Sequence, residues 1–484
     1  MKQVNIIYSM LCRDFHDRVV KDMKKYLDIR HAVAITEMYK GEISIFDAAF
    51  ECGDVYRGFY HKFKEYETCP PVDDRLIDLM KPYDMEILKM MDRHQSWKWK
   101  FEDRMQVYYE HIRFWSYILD LYEISHAVFM NVPHEVFDYV IYCLCKIKGI
   151  KTHVFFQVSV FWGRSVITSD FHLEHLRFRE YYNEFMKKEN IAFSEEVLEK
   201  YKSFYDAGKE KNGNKGKRWW TGATSAKNNK YMAYMDTREF LETRLADKTD
   251  KALRTRITDS HWAGILCRLY YIKNKRKTDK LWNYYESIAE KPVEGEKYIY
   301  YALHYQPEAT SCPEGGGIYA NQLIPIRILS FCLPKGYKLY IKEHPAQTHV
   351  GKHKSLYDRI KRLKNVRLIT GDADSYALLK GAAATATLTG TVAIESVTSE
   401  IPCITFGNFY YNQLEGVYHV RTCQECKEAL EHIISANNNI DQEKVKCFFQ
   451  AIYEYSESIN VGYGNYDELE NAKKMAVLLS RTIG

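Results

Sequence analysis

No stretch of the chain comes near the roughly 18 to 20 consecutive apolar residues that a helix needs to cross a bilayer. The opening, MKQVNIIYSMLCRDFHD, has only a short apolar run broken by Arg13, Asp14 and Asp17, so neither a membrane span nor a secretory signal is expected. An excess of one charge is also lacking. Lys and Arg number 69 against 64 Asp and Glu, a formal net charge of +5, so nucleic acid is not an expected partner and any basic patch must be local. Paired-cysteine spacing is missing as well. The 12 cysteines lie mostly singly in apolar segments, and Cys143 with Cys145 and Cys423 with Cys426 have no matching second pair or flanking histidines. That pattern predicts reduced thiols and a cytoplasmic setting, without a zinc site. Internal repeats and low-complexity tracts are absent too.

What the chain does have is enough apolar residue to fill two cores: 46% of its 484 residues are hydrophobic and 14% aromatic. NIIYSM, a helical stretch FHDRVVKDMKKYLD and the strand HAVAIT open an α/β rhythm. It returns as a strand over Ala127–Asn131, a helix from about His134 to Lys148, Gly149 as a stop and a strand over His153–Gln157. Such βαβ units imply parallel sheets covered by helices. From about Asp170 to Pro292 the chain turns charged and aromatic, reading as a mostly helical insertion. A second α/β run then starts at KYIYYALHYQPEA and continues through KLYIKEHP, NVRLIT, ATATLTG and PCITFG, five strands alternating with helices. The segments expected are therefore 1–169, 170–292, 293–421 and a helical 422–484.

Three stretches carry chemistry. In LYIKEHPAQ, Lys342 and His344 stand two apart just before Pro345 ends the strand. Ligands of open parallel sheets bind beyond the carboxyl ends of strands, and a lysine with a histidine there suits an anion; surface pairing of Lys342 and capping by His344 is the structural alternative. In TLTGTVAIES a strand turns through Gly390 into a helix. Free N–H groups and the hydroxyls of Thr389 and Thr391 would meet a phosphate at the positive end of the helix dipole, with Glu395 one turn on for ribose hydroxyls, or Thr389 would simply cap the helix. In LHYQPEATSCPEGGGIYANQ, the loop is too long for the tight Gly-x-Gly-x-x-Gly turn. Its glycines around Gly316 let backbone approach a ligand, and His304, Gln306 and Glu308 sit at the strand exit, or the stretch is only a flexible turn.

These stretches together resemble a family. LHYQPEAT, the glycine loop, NQL, GYKLYIKEHP, TGTVAIES and PCITFG look like the capsular polysaccharide biosynthesis and export family, whose best understood members are Kdo transferases of GT-B architecture, and NVPHEVFDYVIY with KGIKT looks like its amino-terminal strand–helix unit. The resemblance covers residues 297–407 well and 5–157 loosely. It implies two Rossmann-type parallel-sheet domains facing across a cleft, with a helical insertion. By the same resemblance His344 and Pro345 would meet the donor phosphate, Thr389, Gly390 and Thr391 would lie nearby, and Glu395 would approach the nucleotide. The reaction implied is transfer of Kdo or another acidic sugar from a CMP-activated donor to a capsule or surface-glycan acceptor. A UDP- or GDP-sugar transferase, a sugar-nucleotide epimerase and a non-catalytic export protein are the alternatives.

Sugar transfer needs a stabilised phosphate leaving group and a base for the acceptor hydroxyl. Lys342 and His344 would supply the first without a metal, and no cofactor is called for; Asp372 and Asp374 in GDADS read as a helix cap. For the base, Glu135 in PHE follows a strand and opens a helix, with His134 and Asp138 behind it; a favourable acid in a helix's first turn is the structural alternative. Glu135, Asp138 and Glu308 stay open as nucleophiles of a covalent route. Lys209–Trp220, KEKNGNKGKRWW, is the one locally basic run. It would suit an anionic glycan, a glycolipid or the inner face of the cytoplasmic membrane, or be a solvated loop.

Overall fold

In the computed structural model, residues 3–11, 15–36, 43–93, 99–209, 261–435, 439–461 and 467–484 are described. The basic run Lys209–Trp220 lies outside them, apart from the backbone of Lys209. The chain divides into two compact units. One holds the residues up to Phe171 together with Ser456–Gly484; the other holds the stretch from His172 and Ile265–Tyr455.

The first unit is built on β1 (Gln3–Leu11), β2 (Asp28–Thr36), β3 (Ala48–Glu51), β4 (His126–Phe129), β5 (Lys151–Gln157) and β6 (Ser165–Thr168). They lie in the order β3-β2-β1-β4-β5-β6, all parallel except β6, which runs antiparallel to β5. β4 is buried along its whole length, as a central strand covered on both faces must be. The strand order reverses between β1 and β4. The segment leaving β4, Met130 to Glu135, is therefore at a switch point, where open sheets bind ligands.

The second unit repeats the plan with β7 (Lys297–Ala302), β8 (Tyr337–Lys342), β9 (Val366–Ile369), β10 (Ala384–Thr387), β11 (Cys403–Thr405) and β12 (Val417–His419), all parallel, in the order β12-β11-β10-β7-β8-β9. Its switch point falls between β7 and β10. One face of this sheet packs Ile299, Leu339, Ile341 and Leu368 against helices; the other stacks Tyr298 on Tyr340, with centroids 4.1 Å apart. The described insertion is helical: Glu174–Phe185, Glu195–Lys209 and His261–Ile288.

Three expectations need correction. β3, β6 and β12 are short strands that the alternation in the sequence did not announce. The helix expected from His134 starts at Phe137, because the Asp138 carboxylate takes the N–H groups of His134 and Glu135 (3.0 and 2.6 Å) and holds the preceding segment as a turn. And 422–484 is not one block. Gln442–Tyr455 belongs to the second unit, while Glu468–Ile483 packs Met475, Ala476 and Leu479 on Val19, Val20 and Met23 of the first. No described helix is long and apolar enough to cross a membrane, and the described cysteines form no disulfide.

Gly351 lies on the loop after β8 at φ +74°, and a Cβ there would stand 2.7 Å from the Gln306 carbonyl carbon. Gly351→Ala should cost about 1–3 kcal/mol, from strain at a positive φ plus displacement of the Gln306 backbone, read as a lowered denaturant midpoint.

Candidate functional site

The loops leaving β7, β8 and β10 meet at the switch point of the second sheet. β8 pairs in register with β7, Ala302 opposite Lys342. His304 follows Ala302 by two residues and His344 follows Lys342 by two, so the two histidines leave neighbouring strands.

Beneath them is a buried ion pair that the sequence reading did not single out. Lys352 Nζ lies 2.6 Å from Glu343 Oε1, with the two side chains 0% and 1% exposed. Glu343 also accepts the Tyr357 hydroxyl (2.7 Å) and the N–H of His344 (2.6 Å), and Lys352 donates to the His304 carbonyl (2.6 Å). One pair therefore fixes both strand exits. Gln347 adds a second tie, accepting the Gln306 N–H at 3.0 Å and donating to the Gln306 carbonyl at 2.7 Å. Gln306 itself donates from its side chain to the Ala320 carbonyl (2.8 Å), so its amide shapes the loop and does not reach outward.

His304 is buried and held neutral. Burial, with Lys352 and His344 beside it, lowers its pKa to about 3. Its Nε2 accepts the Thr389 N–H at 3.3 Å and lies 3.0 Å from Thr387 Oγ1, which in turn accepts the Gly390 N–H at 3.2 Å. With Nε2 accepting, the proton sits on Nδ1, 3.5 Å from Thr310 Oγ1, and Thr310 donates to Glu308. His304, Glu308, Thr389 and Gly390 thus form one network. A side chain at 390 would have no room, since a Cβ would fall 2.7 Å from Thr387 Oγ1.

This network corrects the expectation of free N–H groups at Thr389 and Gly390. Both amides are used inside the turn, and the Thr389 hydroxyl donates to the Thr310 carbonyl at 2.5 Å. The donors left without an acceptor among the described residues are the Thr391 and Val392 amides, where the short helix Val392–Thr398 begins. Thr391 Oγ1 donates to Glu395 Oε1 at 3.0 Å. Asp374 caps its helix as expected, accepting from Tyr376 and Ala377 N–H (2.7 and 3.0 Å).

His344 is partly buried, between a buried Glu343 and an exposed Pro345. Its Nδ1 accepts the Ala346 N–H at 3.2 Å, which leaves the proton on Nε2 as a donor. Burial, then Lys352 and Lys342, lower its pKa to about 4. At pH 7 the neutral form predominates. The expected pair of cations is therefore one cation, Lys342, which donates to Ser375 Oγ (3.1 Å), beside a neutral imidazole N–H. Gly316 sits at φ +82° with open space at its Cα.

In the first unit, the segment after β4 carries a second cluster. His134 Nε2 is 3.1 Å and Arg93 Nη1 3.4 Å from Glu135 Oε1. Burial opposes charge on His134, but the adjoining Glu135 outweighs it and the pKa is raised. Asp138, with a third bond from the Tyr139 N–H (2.7 Å), has its pKa pushed up to about 6 by burial. Between them Val136 stands at φ 70°, ψ −71°, with Phe137 N–H returning to the Glu135 carbonyl (2.9 Å), a γ-turn strained for a β-branched residue.

The fold is α/β, with two Rossmann-like units built on largely parallel sheets and a helical insertion. Residues 330–453, roughly a quarter of the chain, match the sequence pattern of the family described as capsule polysaccharide biosynthesis protein. Among solved structures it is similar to a β-Kdo 2,7 transferase, KpsC of Thermosulfurimonas dismutans (9% identity, 98% of this chain and 99% of that one, TM-score 0.32). It is also similar to a glycosyltransferase from Rickettsia africae (10%, 99% and 98%, 0.29) and to the UDP-GlcNAc 2-epimerase of Methanocaldococcus jannaschii (12%, 94% and 99%, 0.27). No curated protein matches.

Removing one partner of the buried pair strands the other charge. Lys352→Met should cost about 3–5 kcal/mol, and adding Glu343→Leu should restore part of it, measured by urea unfolding. Acid should also weaken the second unit. With folded pKa values depressed at His304 (about 3), His344 (about 4) and His419 (about 4), the unfolded chain binds more protons below about pH 6.5. Stability present above that pH should fall as pH drops toward 4, and His344→Asn should flatten the decline.

Proposed function

We propose that the protein is a glycosyltransferase that moves a sugar from a nucleotide-activated donor, CMP-Kdo or the CMP derivative of another acidic sugar, to a capsule or other surface-glycan acceptor. One observation carries the reading: at the switch point of the second sheet, the His344 imidazole, the Lys342 ammonium and the first amides of the Val392–Thr398 helix lie at neighbouring strand ends. Together they are a set of donors for a phosphate. The relation of residues 330–453 to capsule biosynthesis proteins supports the choice of pathway chemistry, and the Kdo transferase named above supports the choice of sugar.

In this reading the bond from the anomeric carbon to the phosphate oxygen breaks and its electron pair goes to the phosphate. Nε2–H of His344 and Lys342 stabilise that charge, and a neutral imidazole does so without a cation that would hold the product CMP tightly. Glu395 would take the ribose hydroxyls, while Pro345, Gln306 and the Gly316 loop bound the pocket. The acceptor hydroxyl oxygen forms the new bond and gives its proton to a general base, for which Glu135 of the first unit is the candidate. Glu308, tied to His304 through Thr310, positions the loop on which His304 stands, and membrane attachment through Lys209–Trp220 belongs to the same reading.

Calorimetry with CMP, UDP and GDP tests the donor. Micromolar CMP binding that His344→Ala weakens tenfold or more is expected; selective UDP or GDP binding would replace the CMP assignment, and no nucleotide binding would remove the transferase. Glu135→Gln should lower kcat by about 10²–10⁴ with CMP affinity unchanged.

A further inference from the structure

The first unit contains a cation that its own surroundings do not satisfy. Arg93 follows the helix Asp84–Met90, and its side chain is 14% exposed. Among the described residues its side chain pairs through Nη1 with Glu135 Oε1, at a long 3.4 Å. Nε and Nη2 are both hidden from water and have no hydrogen-bond partner among the described residues. A guanidinium cannot shed its proton to escape this cost, and each buried donor left unmade is worth about 1–3 kcal/mol.

The two unmatched atoms are not a random pair. Nε–H and Nη2–H point the same way along one edge of the guanidinium plane, the edge that meets both oxygens of a carboxylate or phosphate side-on. Glu135 does not compensate them, because it lies at Nη1 on another edge and is shared with His134 Nε2. His134 is itself biased toward its charged form, and its Nδ1 contacts the Val132 carbonyl at 2.5 Å, so both ring nitrogens are committed. Arg93 and His134 thus share one close carboxylate, while Asp138 is occupied by three backbone N–H groups.

We propose that the Nε–Nη2 edge of Arg93 binds an oxyanion carried by the acceptor, so that the protein selects an acidic glycan. This deepens the transferase reading and rests on it for the word acceptor; the oxyanion site itself does not depend on it. A carboxylate sugar is the favoured ligand, since a planar two-oxygen group matches the planar fork. It would replace the missing partners in a site already withdrawn from water, where a charge-assisted pair is strong. Arg93 is then a specificity-determining residue for the acceptor, next to the proposed base.

The test uses the full chain with nitrogen-15 arginine labelling. The Arg93 Nε–H resonance is assigned by its loss in Arg93→Lys and followed during titration with Kdo, with the same sugar as its methyl ester, and with inorganic phosphate. A saturable downfield shift with Kdo and none with the ester is expected. A shift with phosphate alone would keep the oxyanion site and change its source to a phosphate-bearing acceptor. No shift with either anion, or an equal shift with the ester, would overturn the proposal. Because the readout is on the unmodified side chain, it does not depend on a variant folding. Arg93→Lys should then raise the acceptor KM at least tenfold with CMP affinity unchanged. If CMP binds normally while Arg93 is silent, the oxyanion site falls and the donor reading stands; if Arg93 responds to Kdo and no nucleotide binds, the reverse holds.

Discussion

The second unit is organised around one buried ion pair, Glu343 with Lys352. Burying two charges is expensive, and such pairs seldom justify themselves by stability alone. Here the pair is used for placement. Its carboxylate holds the His344 backbone and Tyr357, and its ammonium holds the His304 carbonyl, so the exits of β7 and β8 are fixed relative to each other by contacts that solvent does not reach. A hydrophobic pair of the same volume would fill the space and leave both loops without that reference.

The pair also sets the electrostatics above it. Lys352 lies close enough to His304 and His344 to disfavour a proton on either, and burial acts in the same direction. Two neutral histidines then do different work, and the difference comes from which nitrogen accepts. His304 accepts at Nε2 and ties β7 to the turn after β10. His344 accepts at Nδ1 from Ala346, which leaves its proton on Nε2. The same residue type at equivalent positions of neighbouring strands becomes a brace in one case and a donor in the other.

Much of this was legible in the sequence, and the reasons are physical. The α/β rhythm showed because buried parallel strands are continuous apolar runs, and His344, Thr389 and Gly390 stood out as candidates because they follow such runs directly. Glu343 and Lys352 were not, since a pair nine residues apart across a loop leaves no period, and Lys352 looks like any surface lysine in sequence. The protonation state of His344 depends in part on that hidden lysine and is not legible without it. Arg93 is separated from Glu135 by a long helix, Phe101–Leu121, and only the folded chain joins them. The strands β3 and β12 were too short to alternate visibly.

The division of the final segment has a consequence for how the protein is made. The apolar face of the helix His16–Met23, which precedes the whole second unit in the chain, is covered by Met475, Ala476 and Leu479. The second unit, by contrast, draws all its described strands and helices from before Ser456. On the ribosome the later-encoded unit can close its core first, while the earlier one must keep Val19, Val20 and Met23 from improper contacts until residues 468–483 emerge. Vectorial synthesis and completion of the two cores therefore run in opposite order.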